Sequence, residues 1–312
     1  MHEELSEDID KYLRMYQSQV DCRDCLGKHA ITPALRARMT DWMIEVLTNF
    51  KCDDQTYFLA VNLQDRFLKN TPLKKEVNDL HIIGVTCMFV ASKYEDIFPL
   101  KMKTIYEKIA HQKLEIQAIK SIELDLLKTI DYKIHTPTVL DFLKVYLQEV
   151  LGITVECKTL TKKKEEAALK QANKGKNETE TNANVEMEEQ KADAEFNKLL
   201  DDPFTSQNYL IEKMCIYLAK MSMHSVELAS RMPSLIAVGS IYVALKICEQ
   251  LTHKELINVN VVTKLIQVSQ MQEDDILDAS QKVLYLAQNF DREFPGLENL
   301  KKTHFGIITQ LL

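Results

Sequence analysis

The stretch that most constrains this chain is Leu80 to Asp96, LHIIGVTCMFVASKYED. From Ile82 to Ala91 it is apolar on nearly every side, broken only by Gly84 and Thr86, and it then ends in Ser92, Lys93, Tyr94, Glu95 and Asp96. A helix apolar all round cannot lie on a surface; other helices must enclose it. It is also shorter than the ~20 apolar residues that cross a bilayer. The stretch recurs. Ser234 to Lys246, SLIAVGSIYVALK, lies without gaps against His81 to Lys93, with Ile83/Ile236, Val85/Val238, Val90/Val243, Ala91/Ala244 and Lys93/Lys246 identical. One buried central helix used twice implies two copies of one all-helical unit.

The bulk numbers narrow the class. With 46% hydrophobic residues and only 7 Gly and 7 Pro in 312 residues, cores are affordable and a turn-rich β protein is disfavoured. The net charge of −7 gives no support to non-specific nucleic-acid binding. The acidic start, MHEELSEDID, does not read as a secretory signal or presequence, and seven scattered cysteines then imply reduced thiols inside a cell. Cys22-x-x-Cys25 has no second Cys or His pair nearby, so no zinc site is expected.

Along the chain, Ser6 reads as the cap of a short helix with Ile9, Leu13 and Tyr16 on one stripe, too short to persist without docking. Thr32-Pro33 opens the next helix, and Asp53 and Asp54 cap another. Beyond the central stretch come a short helix around Met102 to Ile109 and a longer one over Leu114 to Ile130. Thr136-Pro137 reads as the second unit's start. Apolar periodicity stops at Gly152; Lys158 to Asn197 is basic, then acidic, and is expected to be a disordered insertion, with Lys162 to Lys164 a weak nuclear-import candidate. Helices resume at Pro203, Pro233, Val261 and Ile276, and Phe290 to Leu312 reads as a tail packing back on the second unit.

Several of these residues resemble the cyclin box. Leu35 to Val46 (LRARMTDWMIEV) is similar to the family's opening helix and Leu59 to Leu68 (LAVNLQDRFL) to its second. Ala91 to Pro99 (ASKYEDIFP) resembles its motif at the end of the central helix, and Glu123 matches the family's glutamate on the fifth. Glu7 to Leu13 resembles the N-terminal helix of A- and B-type, mitotic cyclins, and Met232 to Ala237 their second box. The resemblance implies an all-α fold of two tandem five-helix boxes: an N-terminal docking helix and connector over 1–30, a first box over 31–135, and a second over 136–312 with the insertion at about 153–202.

The resemblance also implies a role. The chain would be the activating subunit of a cyclin-dependent protein kinase, forming a heterodimer that acts in the cell cycle at the G2/M or mitotic transition, in nucleus and cytoplasm. It would itself be no enzyme, with no catalytic residues, no cofactor, and neither nucleic acid nor membrane as a partner; protein substrates or inhibitors could join the complex. The kinase-binding set would be Lys93 and Glu123 with Phe89, Tyr94, Glu95, Asp96, Ile97, Phe98 and Tyr132, assisted by Ile9 and Leu13 of the first helix. Arg36 and Asp65, each among apolar neighbours on a different helix, invite a buried structural ion pair. Leu35, Arg38, Met39, Trp42, Glu45 and His81 map onto the family's substrate-docking groove. Arg38 stands there at a usually apolar position, where it would repel an arginine-bearing peptide. A transcription-type cyclin, or a cyclin-fold transcription factor binding DNA and polymerase, is the alternative. Arg23-x-x-Leu26 is the only short degradation-signal candidate.

Overall fold

The computed structural model describes residues 2–18, 22–155 and 203–304, and among these the regular structure is entirely helical. In chain order the helices are α1 (His2–Gln17), α2 (Pro33–Asn49), α3 (Asp54–Asn70), α4 (Asp79–Glu95) and α5 (Met102–Thr104), which runs into a π turn at Ile105–Ile109. They continue with α6 (Ile116–Thr129), α7 (Val139–Leu151), α8 (Pro203–Ser222), the single turn α9 (Val226–Ala229), α10 (Pro233–Thr252), α11 (Val259–Ser269) and α12 (Glu273–Glu293). The insertion, including Lys162 to Lys164, lies outside the described residues apart from its first few positions.

The two repeated stretches are the pillars. Helix α4 buries residues on every side and packs against α2, α3, α6 and the π turn. Helix α10 is long and apolar enough to cross a membrane, but it is enclosed by α7, α8, α11 and α12. The repeat is not residue-perfect. Gly84 admits the Met39 thioether of α2, where a Cβ would collide with it. The second pillar's glycine, Gly239, falls two residues later in the register. A Cβ there would stand 3.2 Å from the Ala279 backbone of α12, so this glycine permits close helix–helix approach.

The caps fall largely where the side chains place them. Thr32 accepts a hydrogen bond from Leu35 N (3.3 Å) with Pro33 at the first helical position, and Asp53 accepts from Gln55 N (2.9 Å). Gly152, at φ 68°, ends α7 in the left-handed region that glycine enters without strain. Two starts differ from expectation. Helix α1 begins before Ser6, and the second unit opens at Thr138, whose hydroxyl and Asp141 form a reciprocal capping box. Thr136 instead donates to Asn62 Oδ1 at 2.8 Å, pinning the connector to α3.

Charged side chains join the units. Arg36 is fully buried; its Nε and a terminal nitrogen donate to both Asp65 oxygens at 2.7 and 2.5 Å, as the sequence suggested. The remaining terminal nitrogen donates to the Met223 carbonyl at the end of α8 (2.7 Å), so the pair also binds one unit to the other. Arg66 donates to the carbonyls of Lys133 and Ile134, fixing the connector. The tail crosses this junction as well. Asp41 of α2 accepts from Asn299 N and Leu300 N, both at 3.1 Å, and lies 3.3 Å from His224 Nε2. The tail therefore packs on the first unit and not only on the second.

Removing one partner of a dry ion pair strands the other charge, at a cost of about 3–5 kcal/mol. Asp65→Ala is therefore expected to lower unfolding free energy by about that amount. Denaturant titration measures it; a loss below about 1 kcal/mol, the size of an exposed pair, would contradict the junction role.

Candidate functional site

The turn after α4 is held from inside. Ser92 Oγ accepts from Leu100 N (2.8 Å), and Asp96 Oδ1 accepts from Asp53 N (2.8 Å), folding Glu95 to Leu100 back over the start of α3. With its backbone anchored, the turn directs Ile97 and Phe98 outward. Lys93 leaves the last turn of α4 with its ammonium 4.2 Å from the centre of the Phe89 ring, and it pairs with Glu123 across on α6. Phe89 itself is buried and forms the floor. Tyr94 stacks on His135 at 6.0 Å.

Past the end of α6, Asp131 and Tyr132 both adopt the left-handed region, at φ 52° and 58°. Two consecutive non-glycine residues there store strain, a pattern that gathers at binding sites. Large apolar side chains on the segments that carry the charge pair are open to solvent: Tyr132 is 61% exposed, Phe98 56%, Tyr94 49% and Leu124 47%. Exposed large apolar side chains gathered on one face mark an interaction surface. Leu124, next to Glu123 on α6, belongs to no motif in the sequence and is a member of this exposed set all the same. An apolar residue on the outer side of an amphipathic helix is the sequence signal that marks it.

The start of α3 and α7 also hold a polar knot that spacing did not reveal. Gln55 Nε2 donates to Thr138 Oγ1 (3.0 Å) and to the Asp141 carboxylate (2.9 Å), and Lys144 donates to Gln55 Oε1 (3.3 Å). Burial, reinforced by Asp141, pushes the Glu95 carboxyl up to about 7 despite the opposing pull of Lys144. Asp96, expected on the binding face, is turned inward by its bond to Asp53 N.

The first helix also differs from expectation. Leu13 is 7% exposed and belongs to the core, so it holds α1 in place and is not free for a partner. Arg14 donates to the Ser269 carbonyl (2.6 Å) and to that of Val268, meeting the negative end of α11, and Gln17 accepts from Ser234 N (3.2 Å) at the start of α10. The helix is docked on the second unit with Ile9, Tyr12 and Met15 facing outward.

The second face lies along α2. Leu35, Arg38, Trp42 and Glu45 share one side of the helix, and Met39 is buried against Gly84. The half-buried Trp42 ring meets His81 at 5.3 Å. The sequence-derived groove residues are thus brought together. The Arg23-x-x-Leu26 candidate is folded into turns, with Lys69 donating to the Arg23 carbonyl. Cys22 and Cys25 are buried beside it, and burial raises both thiols above their usual range.

A family model described as the cyclin N-terminal domain matches residues 8–135, and one described as the cyclin C-terminal domain matches residues 197–295. The chain belongs to the cyclin family. Similar curated proteins include the G2/mitotic-specific cyclin-B1 of Oryzias luzonensis, 29% identical over 160 residues (51% of this chain, 39% of the relative). That of Xenopus laevis is 31% identical over the same length and the same shares. The S-phase entry cyclin-6 of Saccharomyces cerevisiae is 30% identical over 135 residues, 43% of this chain and 35% of the relative. The matches to these relatives thus span well under half of their length. A viral cyclin from herpesvirus saimiri shares the fold, with a TM-score of 0.59 at 14% identity over 88% of this cyclin and 96% of that chain.

The Glu95 environment sets a pH dependence. Its folded pKa, about 7, lies above the unperturbed 4.5, so the folded state holds the proton more tightly. That contribution is fully present below 4.5 and is lost as pH rises to about 7. In thermal melts between about pH 5 and pH 8, Glu95→Gln is expected to flatten this slope and to melt above the parent protein at the alkaline end. Parallel curves would contradict the assignment.

Proposed function

We propose that this cyclin binds and activates a cyclin-dependent protein kinase through the face built around Lys93 and Glu123. The observation that carries the reading is the exposure of Tyr94, Phe98, Leu124 and Tyr132 on the segments that carry a charge pair whose Lys93 side chain is still 38% exposed. In the free protein each charge answers the other. Against a kinase, both would exchange partners for backbone groups of the incoming segment, while the exposed apolar side chains supply the desolvated surroundings that strengthen such bonds. Ile9 and Tyr12 on the outer side of α1 would extend the contact.

The mechanism is a shift of population. A kinase whose regulatory helix moves between inward and outward positions is biased only by a ligand that prefers one of them. A rigid apolar face holding that helix inward would set the kinase's Lys–Glu pair and favour an ordered activation loop. Phosphoryl transfer from ATP to protein Ser/Thr residues then belongs to the kinase, and this chain contributes no catalytic group. The B-type relatives favour a role at the G2/M or mitotic transition, with the complex acting in nucleus and cytoplasm.

Recovery of an active kinase from the source cell by the wild-type cyclin, and its loss with Lys93→Ala/Glu123→Ala at unchanged helicity, is the expected outcome of a pull-down with kinase assay. Equal recovery by both proteins would overturn the assigned face.

A further inference from the structure

Helix α12 has a side that neither the core nor the kinase-binding face uses. Its inner side is complete, with Ile276, Ala279, Val283, Leu286 and Phe290 buried. The opposite side carries Leu277, Leu284 and Tyr285, which are 37%, 39% and 53% exposed. Gln281 and Gln288, both exposed, lie along the same stripe, so its middle carries no charge. An apolar stripe outside a core face that is already filled is a surface for another protein.

The charges at the two ends of the stripe decide what fits it. Asp274 and Arg292 are eighteen residues apart on α12. At ~3.6 residues per turn that is about five whole turns, so they stand on the same side of the helix, about 27 Å apart. Both are exposed, and neither has an ion pair among the described residues. The charges beside the stripe are already answered. Asp278 takes Arg231 at 2.7 Å, Lys282 takes Glu227 of α9 at 3.1 Å, and the Tyr285 hydroxyl donates to Glu293 at 3.2 Å. These bonds tie the flank of α12 to α9 and to the turn before α10, so the stripe has a fixed base. A carboxylate at one end, a guanidinium at the other and apolar residues between them are self-complementary under a two-fold axis. An identical helix laid antiparallel sets each Asp274 opposite the other copy's Arg292 and opposes the two helix dipoles.

We infer that the outer side of α12 is a self-association face, on which a second copy of this chain docks antiparallel. The two-fold axis crosses the stripe at the level of Val283 and brings the two Leu284 side chains together, with Leu277 and Tyr285 on either side. A parallel arrangement would set Asp274 against Asp274 and Arg292 against Arg292, so the charges select the antiparallel one. An unlike partner of one charge sign would satisfy one end of the stripe and be opposed at the other. A single helix pair falls short of the ~1,200–2,000 Å² of a stable interface, so the pairing is a weak, concentration-dependent equilibrium. The inference does not rest on the kinase reading, because Lys93 and Glu123 take no part in it.

Sedimentation equilibrium of the full chain, from micromolar to submillimolar concentration, tests the pairing. The average mass is expected to rise from the 36.0 kDa of one chain toward twice that value, and to fall back with added salt. Asp274→Arg and Arg292→Asp are each expected to weaken association about tenfold, because two exposed pairs become like-charged at once. An equimolar mixture of the two variants is expected to regain it, since every contact between positions 274 and 292 is then opposite in sign again. Leu284→Glu is expected to abolish pairing with helical circular dichroism unchanged. Lys93→Ala/Glu123→Ala is expected to associate like the parent protein, which separates this face from the kinase-binding one. A chain that stays monomeric throughout overturns the inference and leaves the stripe to an unlike partner. Association that the single variants do not weaken, or that their mixture does not restore, overturns the antiparallel pairing.

Discussion

The buried guanidinium of Arg36 is the interaction on which the arrangement of this cyclin depends. It satisfies both oxygens of Asp65 within the first unit and spends a further donor on the Met223 carbonyl of the second. A charge in a dry interior is tolerated only when its donors are met. Fixing Arg36 therefore fixes α2, α3 and the end of α8 together. Around it the same junction carries Arg66 on the connector carbonyls, Lys220 on Asp54 at 2.7 Å, and Asp41 on the tail. Burial works against the charge of Asp41, but bonds from His224, Leu300 and Asn299 outweigh it and hold its carboxyl below the usual range. Apolar packing could join two helical units at many angles. A set of directional charged bonds selects one of them.

That rigidity gives the two faces their use. The repeated pillars are equivalent as packing elements but not as surfaces. Lys93 reaches across to Glu123 on another helix and lies over Phe89. Lys246, its counterpart, pairs among the described residues only with Glu249 three residues along its own helix. Glu249 also accepts from Leu256 N and Ile257 N, so it serves the loop that follows. The first pillar ends in an anchored turn that exposes aromatic side chains; the second ends in a helix cap. The repeated helix supplies the scaffold, and the differing last turn supplies the exposed face proposed for the kinase.

The parts of this fold that were legible in the sequence are those governed by local chemistry. The all-round apolar run of α4, the Thr32-Pro33 cap and the stop at Gly152 each follow from residues adjacent in the chain. The Arg36–Asp65 pair was legible because two charges stood in apolar stripes with few other ways to be satisfied. What escaped depended on distant partners. Thr136-Pro137 and the capping-box spacing Thr138-x-x-Asp141 are two competing local starts, and it is the distant Asn62 on α3 that takes the Thr136 hydroxyl and leaves the cap to Thr138. Leu13 reads like its neighbours Ile9 and Tyr12, yet Arg14 and Gln17 rotate α1 so that it faces inward. The Asp41–tail contact spans 258 residues, beyond the reach of any periodicity. The left-handed Tyr132 and His111 carry no glycine to announce them.

The central claim, that the partner kinase lies on the Lys93–Glu123 face while the Trp42 face stays open, is tested most directly by hydrogen exchange of the full chain with and without the kinase. New protection is expected at 93–99 and 123–132, with 35–45 unchanged. Protection confined to 35–45, or none at 93–99, would contradict it.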